Sequence, residues 1–333
     1  MQREIGQKRG AQVQKPAQEG NFSGSIMRGD RMTAFATVGL LYPGEMGASL
    51  GKLLTNAGVR VVTTLTARGP RTAQLSREAG IESLSSLEEV VGQSTMILSL
   101  VETSSAATVA ESYASLARLA PPGTVYVEAN SIGPETMKSI AATVSAAGCD
   151  VVDGAINGPA RTLSTGGTLY LSGSRADEVS SLLGKVVRVR VLGTEIGQAS
   201  TMKMLLGGLT KGTCALFLEL ATLAERRGML PEMMEAITMI YPGIAILIDR
   251  MLPTYARHAG RRSVEMQELE QTLQNSGMEP CLVGAICKLH DQLAAMPFDP
   301  SDGASVASLI QRTVAGGLLA TESKSTSAEP KVA

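Results

Sequence analysis

A glycine-rich turn joins an apolar, β-prone segment (34–41) to a helix-forming segment, and it is the first feature that could carry chemistry. Such a turn binds phosphate, because the helix that follows it points free N–H groups and its positive dipole end at the anion. In the pattern G-x-G-x-x-G, the first glycine is here replaced by tyrosine. We therefore predict a dinucleotide-binding loop formed by Gly39, Tyr42, Pro43, Gly44, Glu45, Met46 and Gly47.

Two arginines follow the second predicted strand (59–66) and indicate which dinucleotide binds. No Asp or Glu ends that strand to accept a ribose 2′-hydroxyl, and Arg68 and Arg71 come directly after it. Guanidinium groups suit a 2′-phosphate, so the pattern favours NADP(H) over NAD(H). The alternative is that both arginines only solvate a loop.

Strands alternate with helices up to about residue 193, and everything after residue 195 is helical in pattern. This predicts an α/β fold, in which a Rossmann-type doubly wound sheet precedes an all-α C-terminal domain that begins with a long interdomain helix. We expect a disordered leader (1–33), an NADP-binding domain (34–194), a helical substrate and dimerisation domain (195–320) and a disordered tail (321–333). Met27 and Met32 are alternatives to Met1 as the start residue.

Composition narrows the class of partner. The net charge of −1 offers no electrostatic footprint for nucleic acid or an anionic membrane, so we expect a small-molecule substrate and a homodimer. We expect no apolar run long enough to span a bilayer and no secretory signal at the N-terminus. The cysteines and histidines show no metal-ligand spacing and indicate free thiols in the cytoplasm: Cys149, Cys214, Cys281, Cys287, His258 and His290.

Over residues 35–320 the sequence resembles the 6-phosphogluconate dehydrogenase and β-hydroxyacid dehydrogenase superfamily. The stretch TVGLLYPGEMGASLGKLL is similar to the opening of that superfamily, in a branch with a PGEMG turn and a compact helical C-terminal domain related to imine reductases. The interval from Arg68 to Gly80 also matches the superfamily. The resemblance implies that the C-terminal domains of two chains pack together and that the substrate cleft draws on both chains.

Three further segments resemble motifs of the superfamily and imply site residues: 127–136, 153–160 and 197–208. Residues 101–102 stand where the superfamily's cofactor loop is often Val-Pro, and here they are Val-Glu. The resemblance makes Lys203 the catalytic lysine and places the following residues at the cofactor or the substrate: Val101 and Glu102 at the cofactor, Asn130 at both, and Ser131, Asn157, Gly158 and Pro159 at the substrate. Arg262 is a candidate for binding an anionic group of the substrate, unless it only forms a salt-linked helix surface.

The sequence departs from the superfamily near the lysine and in the substrate loop. An Asn is common one turn after the lysine, but Leu206 and Gly207 stand there. That contact is therefore missing, or Thr210 or Lys211 supplies it. Asn157 replaces a serine of the substrate loop.

These patterns predict an NADP-dependent oxidoreductase that transfers hydride between the nicotinamide and a small hydroxy acid or carbonyl compound. Lys203 would act as the general acid and base. The alternatives are an NADPH-dependent imine reductase and a non-catalytic NADP-binding sensor or partner protein. The simplest alternative for Lys203 itself is a helix lysine that pairs with a carboxylate.

Overall fold

The computed structural model of the protein describes residues 35–296 and 305–319. The predicted leader (1–33) and tail (321–333) lie outside these residues. The described chain comprises a sheet flanked by helices, followed by an all-helical region. The predicted fold class is confirmed.

Eight strands form one sheet in the order β3-β2-β1-β4-β5-β6-β7-β8. All neighbouring pairs are parallel except β6 and β7, which are antiparallel. The direction of the strand order reverses between β1 and β4. Open parallel sheets generally bind ligands at such a point, in the crevice at the carboxyl ends of the strands. The strands are β1 (Thr37–Leu41), β2 (Arg60–Thr64), β3 (Glu82–Leu84), β4 (Met96–Ser99), β5 (Val125–Glu128), β6 (Asp150–Asn157), β7 (Thr168–Ser172) and β8 (Arg188–Gly193).

Helices cover both faces of the sheet, so its central strands are apolar on both sides. Alternate residues of one strand enter different cores: Leu98 packs on one face of β4 and Ile97 on the other. The helices of this region are α1 (Glu45–Asn56), α2 (Pro70–Glu78), α3 (Leu87–Gln93), α4 (Ala106–Leu116), α5 (Pro134–Ala146), α6 (Leu163–Gly166) and α7 (Ala176–Leu183).

The helical region is arranged around one long helix. That helix spans 29 residues, about 44 Å, and its first turns also pack on β6 and β7. Gly208 allows close packing, because a Cβ there would collide with the Leu269 side chain. The helices are α8 (Gln198–Arg226), α9 (Leu230–Ile240), α10 (Pro242–Met251), α11 (Ala259–Asn275), α12 (Cys281–Ala295) and α13 (Val306–Ala315).

The length and composition of α8 correct one expectation. Within residues 35–296 and 305–319, it is the one helix long and apolar enough to cross a membrane by these two criteria, with a mean hydropathy of 1.3 in its most apolar stretch. The sequence pattern predicts no such run, and α8 shows that this expectation is wrong. A core helix passes the same test, and α8 packs against the sheet and against α10, α11, α12 and α13.

Candidate functional site

The turn between β1 and α1 leaves the start of the helix open to an anion. Tyr42 has a φ of 49°, in the left-handed region where glycine is usual, so a tyrosine adopts the backbone conformation of the missing glycine. Gly44 caps α1 without a side-chain hydrogen bond, and a Cβ on it would meet nothing within 4 Å. The backbone N–H groups of the first helical turn therefore have no side-chain cap, and no atom crowds the turn at Gly44.

Two other glycines of the predicted loop are required for packing. A Cβ on Gly39 would lie 2.5 Å from Ser94 Oγ and 2.7 Å from Ile97 Cδ1. A Cβ on Gly47 would lie 3.2 Å from the Cβ of Pro43, which is itself buried. Gly39 thus lets β1 approach α3 and β4, and Gly47 lets α1 approach the turn.

The structure brings both predicted arginines to this turn. The guanidinium carbon of Arg68 lies 3.7 Å from the centre of the Tyr42 ring, a cation–π contact. Arg71 forms an ion pair with Glu45 at the start of α1. Both arginines are exposed at the carboxyl end of the sheet, so they lie where an anionic group could meet them.

A buried network joins the ends of β4 and β5. Glu128 has no exposed surface, and burial raises its pKa to about 8 although Asn130, Ser99 and Tyr126 hydrogen-bond to it. Asn130 donates to Glu128 and, at 3.1 Å, to Ser99 Oγ, while its Oδ1 accepts the Val101 N–H at 2.6 Å. The Asn130 side chain therefore holds the two loops together, and its own hydrogen-bonding groups are used within the protein.

The remaining residues predicted at this edge lie in the same two loops. Ser131 is partly buried, and its carbonyl accepts a hydrogen bond of 3.1 Å from Thr103 Oγ1. Val101 is partly buried and Glu102 is exposed. These residues surround the carboxyl ends of β4 and β5, beside the α1 turn.

Lys203 of α8 contacts the carboxyl end of β6, in the segment predicted to bind the substrate. Its ammonium nitrogen donates to the carbonyl oxygen of Ile156 at 2.5 Å. Asn157 and Pro159 follow that carbonyl and are exposed. Gly158 has a φ of 129°, and a Cβ there would lie 2.8 Å from the Cα of Gly167. The structure therefore brings the predicted catalytic lysine and the predicted substrate loop together.

The surroundings of Lys203 lower the proton affinity of its amine. Its pKa is lowered to about 8, first because burial penalises the charged form. The carboxylate of Glu265 acts in the opposite direction, while Lys211 and Arg261 lower the pKa further. An amine with this proton affinity can both give and take a proton near neutral pH.

Asp153 fixes the beginning of the helix that carries Lys203. It is buried at β6 and accepts hydrogen bonds from Gly197 N at 2.9 Å, Ser200 N at 3.0 Å, Ser200 Oγ at 2.7 Å and Ser172 Oγ at 3.1 Å. Burial raises the pKa of this carboxyl, and the hydrogen bonds oppose that shift. Asp153 is not among the predicted site residues, and the sequence signal that points to it is its position at the head of the substrate-loop motif.

Lys211, one of the two residues expected to replace the missing Asn, lies beside Gly207. A Cβ on Gly207 would lie only 3.0 Å from Lys211 Nζ, so this ammonium lies beside Gly207. Lys211 forms an ion pair of 2.9 Å with Glu265. Thr210, the other alternative, donates its hydroxyl to Leu206 O within its own helix at 3.0 Å.

Arg262 packs within the helical region. It is buried; its guanidinium donates to Tyr255 O at 2.8 Å and stacks on the Tyr255 ring at 4.3 Å. These contacts commit Arg262 to the core, whereas its neighbour Arg261 reaches Glu265 at 3.7 Å. His290 is also a packing residue, buried with a 2.9 Å hydrogen bond to Tyr255.

Comparisons with known proteins identify the family to which the chain belongs. Residues 34–193 match the NAD binding domain of 6-phosphogluconate dehydrogenase, and residues 224–293 match a domain of unknown function, DUF1932. One solved structure, of a conserved protein described as similar to 3-hydroxyacid dehydrogenases, is 30% identical. It covers 77% of this chain and 96% of its own, with a TM-score of 0.61.

Two more distant structures share the fold. The 3-hydroxyisobutyrate dehydrogenase of Salmonella typhimurium is 20% identical, with a TM-score of 0.67 over 83% of this chain and 99% of its own. The imine reductase of Streptomyces aurantiacus is 17% identical, with a TM-score of 0.54 over 83% and 99%. The predicted resemblance is confirmed.

Proposed function

Because the chain belongs to the superfamily of 6-phosphogluconate and 3-hydroxyacid dehydrogenases, which are NAD(P)-binding oxidoreductases, we propose that it is an NADP-dependent dehydrogenase or reductase. It would interconvert a small hydroxy acid and the corresponding carbonyl compound. The observation that supports this most is Lys203, whose amine lies at the end of β6 with a pKa of about 8.

The residues of the α1 turn fit a nicotinamide dinucleotide. The uncapped N-terminus of α1 and the open space at Gly44 suit a pyrophosphate. When bound, the nicotinamide supplies or accepts the hydride. The loops held by Asn130 would form the wall beside the nicotinamide ring and exclude water from it.

NADP is favoured over NAD by the charges beside that turn. Arg68 and Arg71 follow β2, where Thr64, Leu65 and Thr66 stand and no carboxylate is present to accept a ribose 2′-hydroxyl. The Tyr42 ring preorganises Arg68, and Glu45 orients Arg71. Two oriented guanidinium groups suit a 2′-phosphate.

Lys203 would move the proton that accompanies hydride transfer. In the reductive direction the protonated amine donates to the substrate oxygen, and in the oxidative direction the neutral amine accepts from the hydroxyl. Ile156 O holds the nitrogen at the mouth of the substrate loop. Asn157, Gly158 and Pro159 would then contact the substrate.

A panel of small 3-oxo acids, other carbonyl compounds and cyclic imines, assayed by NADPH and NADH consumption, tests this proposal. We expect turnover of at least one carbonyl acid, with NADPH preferred. Turnover of cyclic imines alone would favour the second candidate, an imine reductase. Two departures from the superfamily support that candidate. The Asn that is common one turn after the lysine is absent, since Leu206 and Gly207 stand there, and Asn157 replaces a serine of the substrate loop. Dinucleotide binding without any turnover would favour a sensor.

We propose that the chain forms a homodimer through the helical region. Leucines on α8 form an exposed apolar stripe at roughly helical spacing, and single apolar side chains on a monomer surface rarely align in this way. The stripe consists of Leu205, Leu209, Leu216, Leu220 and Leu223. The free thiols fit the cytoplasm, and the net charge of −1 favours neither nucleic acid nor an anionic membrane as a partner.

A further inference from the structure

Position 207 has no side chain, and a lysine one turn further along the helix, Lys211, fills the space. Side chains of a helix lean toward its N-terminus, so Lys211 extends back along α8 toward Lys203. Its ammonium nitrogen lies 3.0 Å from the place where a Cβ on Gly207 would be. Gly207 therefore creates room for a second cation one turn from Lys203.

A carboxylate from another helix holds this cation in place. Glu265 of α11 bonds to Lys211 Nζ at 2.9 Å, and the two side chains are only 10% and 13% exposed. Arg261 reaches the other oxygen of Glu265 at 3.7 Å. Because both side chains are largely buried, removal of either partner would leave a buried charge uncompensated. The two charges are therefore held together firmly.

We propose that the Lys211–Glu265 ion pair is a positioning device for Lys203, and that it replaces a side chain at residue 207. The pair holds two opposite charges at fixed places next to position 207, one turn along α8 from Lys203, so the protonation of Lys203 depends on both. This inference rests on the proposed role of Lys203 in proton transfer.

The electrostatics of Lys203 support the geometric argument. After burial, the charges that act on its pKa are Glu265 and Arg261 of α11 and Lys211 of α8. Glu265 raises the pKa, and the two cations lower it. The ion pair therefore contributes opposing effects, and changing either member alone would shift the pKa of Lys203 in a known direction.

Competitive labelling with acetic anhydride, read by mass spectrometry of the Lys203 peptide, measures this pKa without any substrate. In Lys211→Met the midpoint should rise by about one pH unit, because a like charge is lost and Glu265 is released toward Lys203. In Glu265→Gln it should fall by a similar amount. Lys211→Arg keeps the charge and should leave the midpoint unchanged, as should Lys288→Met, which alters an exposed lysine of α12.

Unshifted midpoints in folded Lys211→Met and Glu265→Gln proteins would overturn the proposal, as would shifts of the same sign in both. Circular dichroism checks folding, and Lys211→Gln replaces Lys211→Met if the latter is unstable. The pH profile of kcat/KM for NADPH oxidation should shift with the labelling midpoint. If the labelling midpoint shifts and this profile does not, the ion pair is confirmed and the proton-transfer role of Lys203 fails.

A double variant tests whether the pair replaces a side chain at 207. Gly207→Asn in the Lys211→Met background places an amide in the vacated space. The double variant should have a kcat closer to the wild-type value than Lys211→Met alone has, while KM for NADPH stays constant. A kcat no closer to the wild-type value than that of Lys211→Met would contradict this part of the proposal.

Discussion

Asp153 and Ser200 are joined by two hydrogen bonds, from the Ser200 hydroxyl at 2.7 Å and from its backbone N–H at 3.0 Å. A strand residue thereby caps a helix that begins 45 residues later in the chain. Since Lys203 lies one turn beyond Ser200, this cap fixes the place of the amine relative to the substrate loop. Asp153 and Ile156, whose carbonyl accepts the hydrogen bond from Lys203, both belong to strand β6.

Asp153→Asn should destabilise the fold, because an amide nitrogen would face N–H groups that now meet a carboxylate oxygen. The expected loss in the free energy of unfolding is about 3 kcal/mol, measured by urea denaturation. Asp150→Asn changes an exposed carboxylate on the same strand that pairs with Arg175 at 3.1 Å. It should lose less than about 1 kcal/mol. Equal losses would show that the cap is unimportant.

Glu128 should make stability fall as the pH rises. Its pKa is raised from 4.5 to about 8, chiefly by burial, so the folded chain keeps a proton that the unfolded chain releases. The free energy of unfolding therefore decreases between these two pH values and levels off above about pH 8. Glu128→Gln should flatten this dependence in urea titrations at several pH values, whereas Glu82→Gln, at an exposed carboxylate, should not. A slope unaltered by Glu128→Gln would contradict a neutral Glu128.

Arg68→Ala should weaken NADPH binding about tenfold, because a charge-assisted contact to the 2′-phosphate is lost. NADH binding should be unaffected, since it lacks that phosphate. Isothermal titration with both dinucleotides measures the difference. Arg60→Ala is the matched control: Arg60 lies at the opposite end of β2, bonded to Glu82 at 2.8 Å. Equal weakening of NADPH and NADH binding would remove the argument for NADP.

Leu209→Glu should prevent association of two chains, because it places a charge in the middle of the apolar stripe of α8. Leu209 is 71% exposed, so the substitution has little effect on the core. Sedimentation velocity should show a dimer for the wild-type protein and for Glu219→Gln, an exposed polar position on the same helix. It should show a monomer for Leu209→Glu. A dimer in all three would place the interface elsewhere.

The pattern of apolar residues predicted most of the fold, because strands buried on both faces and long apolar helices have recognisable sequence patterns. β3 has no such pattern. It is only three residues long, Glu-Ser-Leu, and mostly exposed, and its pairing with β2 makes it a strand. The α1 turn was predictable for the opposite reason, since its glycines and the left-handed Tyr42 depend on local backbone geometry.

The charges around Lys203 could not be predicted in the same way. Glu265 and Lys211 are 54 residues apart and meet only because α11 packs on α8. Sequence spacing also could not distinguish Arg261 from Arg262, which leave the same helix in different directions, one toward Glu265 and one onto Tyr255. Contacts between distant elements are set by tertiary packing, which a single sequence does not show.

The most direct test of the account is the turnover and dinucleotide affinity of Lys203→Met, compared with the wild-type protein on a substrate found in the carbonyl and imine panel. If Lys203 carries the proton, kcat should fall about 10²–10⁴-fold while the Kd for NADPH, from isothermal titration, stays the same. A kcat close to that of the wild-type protein, with NADPH still bound, would contradict the central claim.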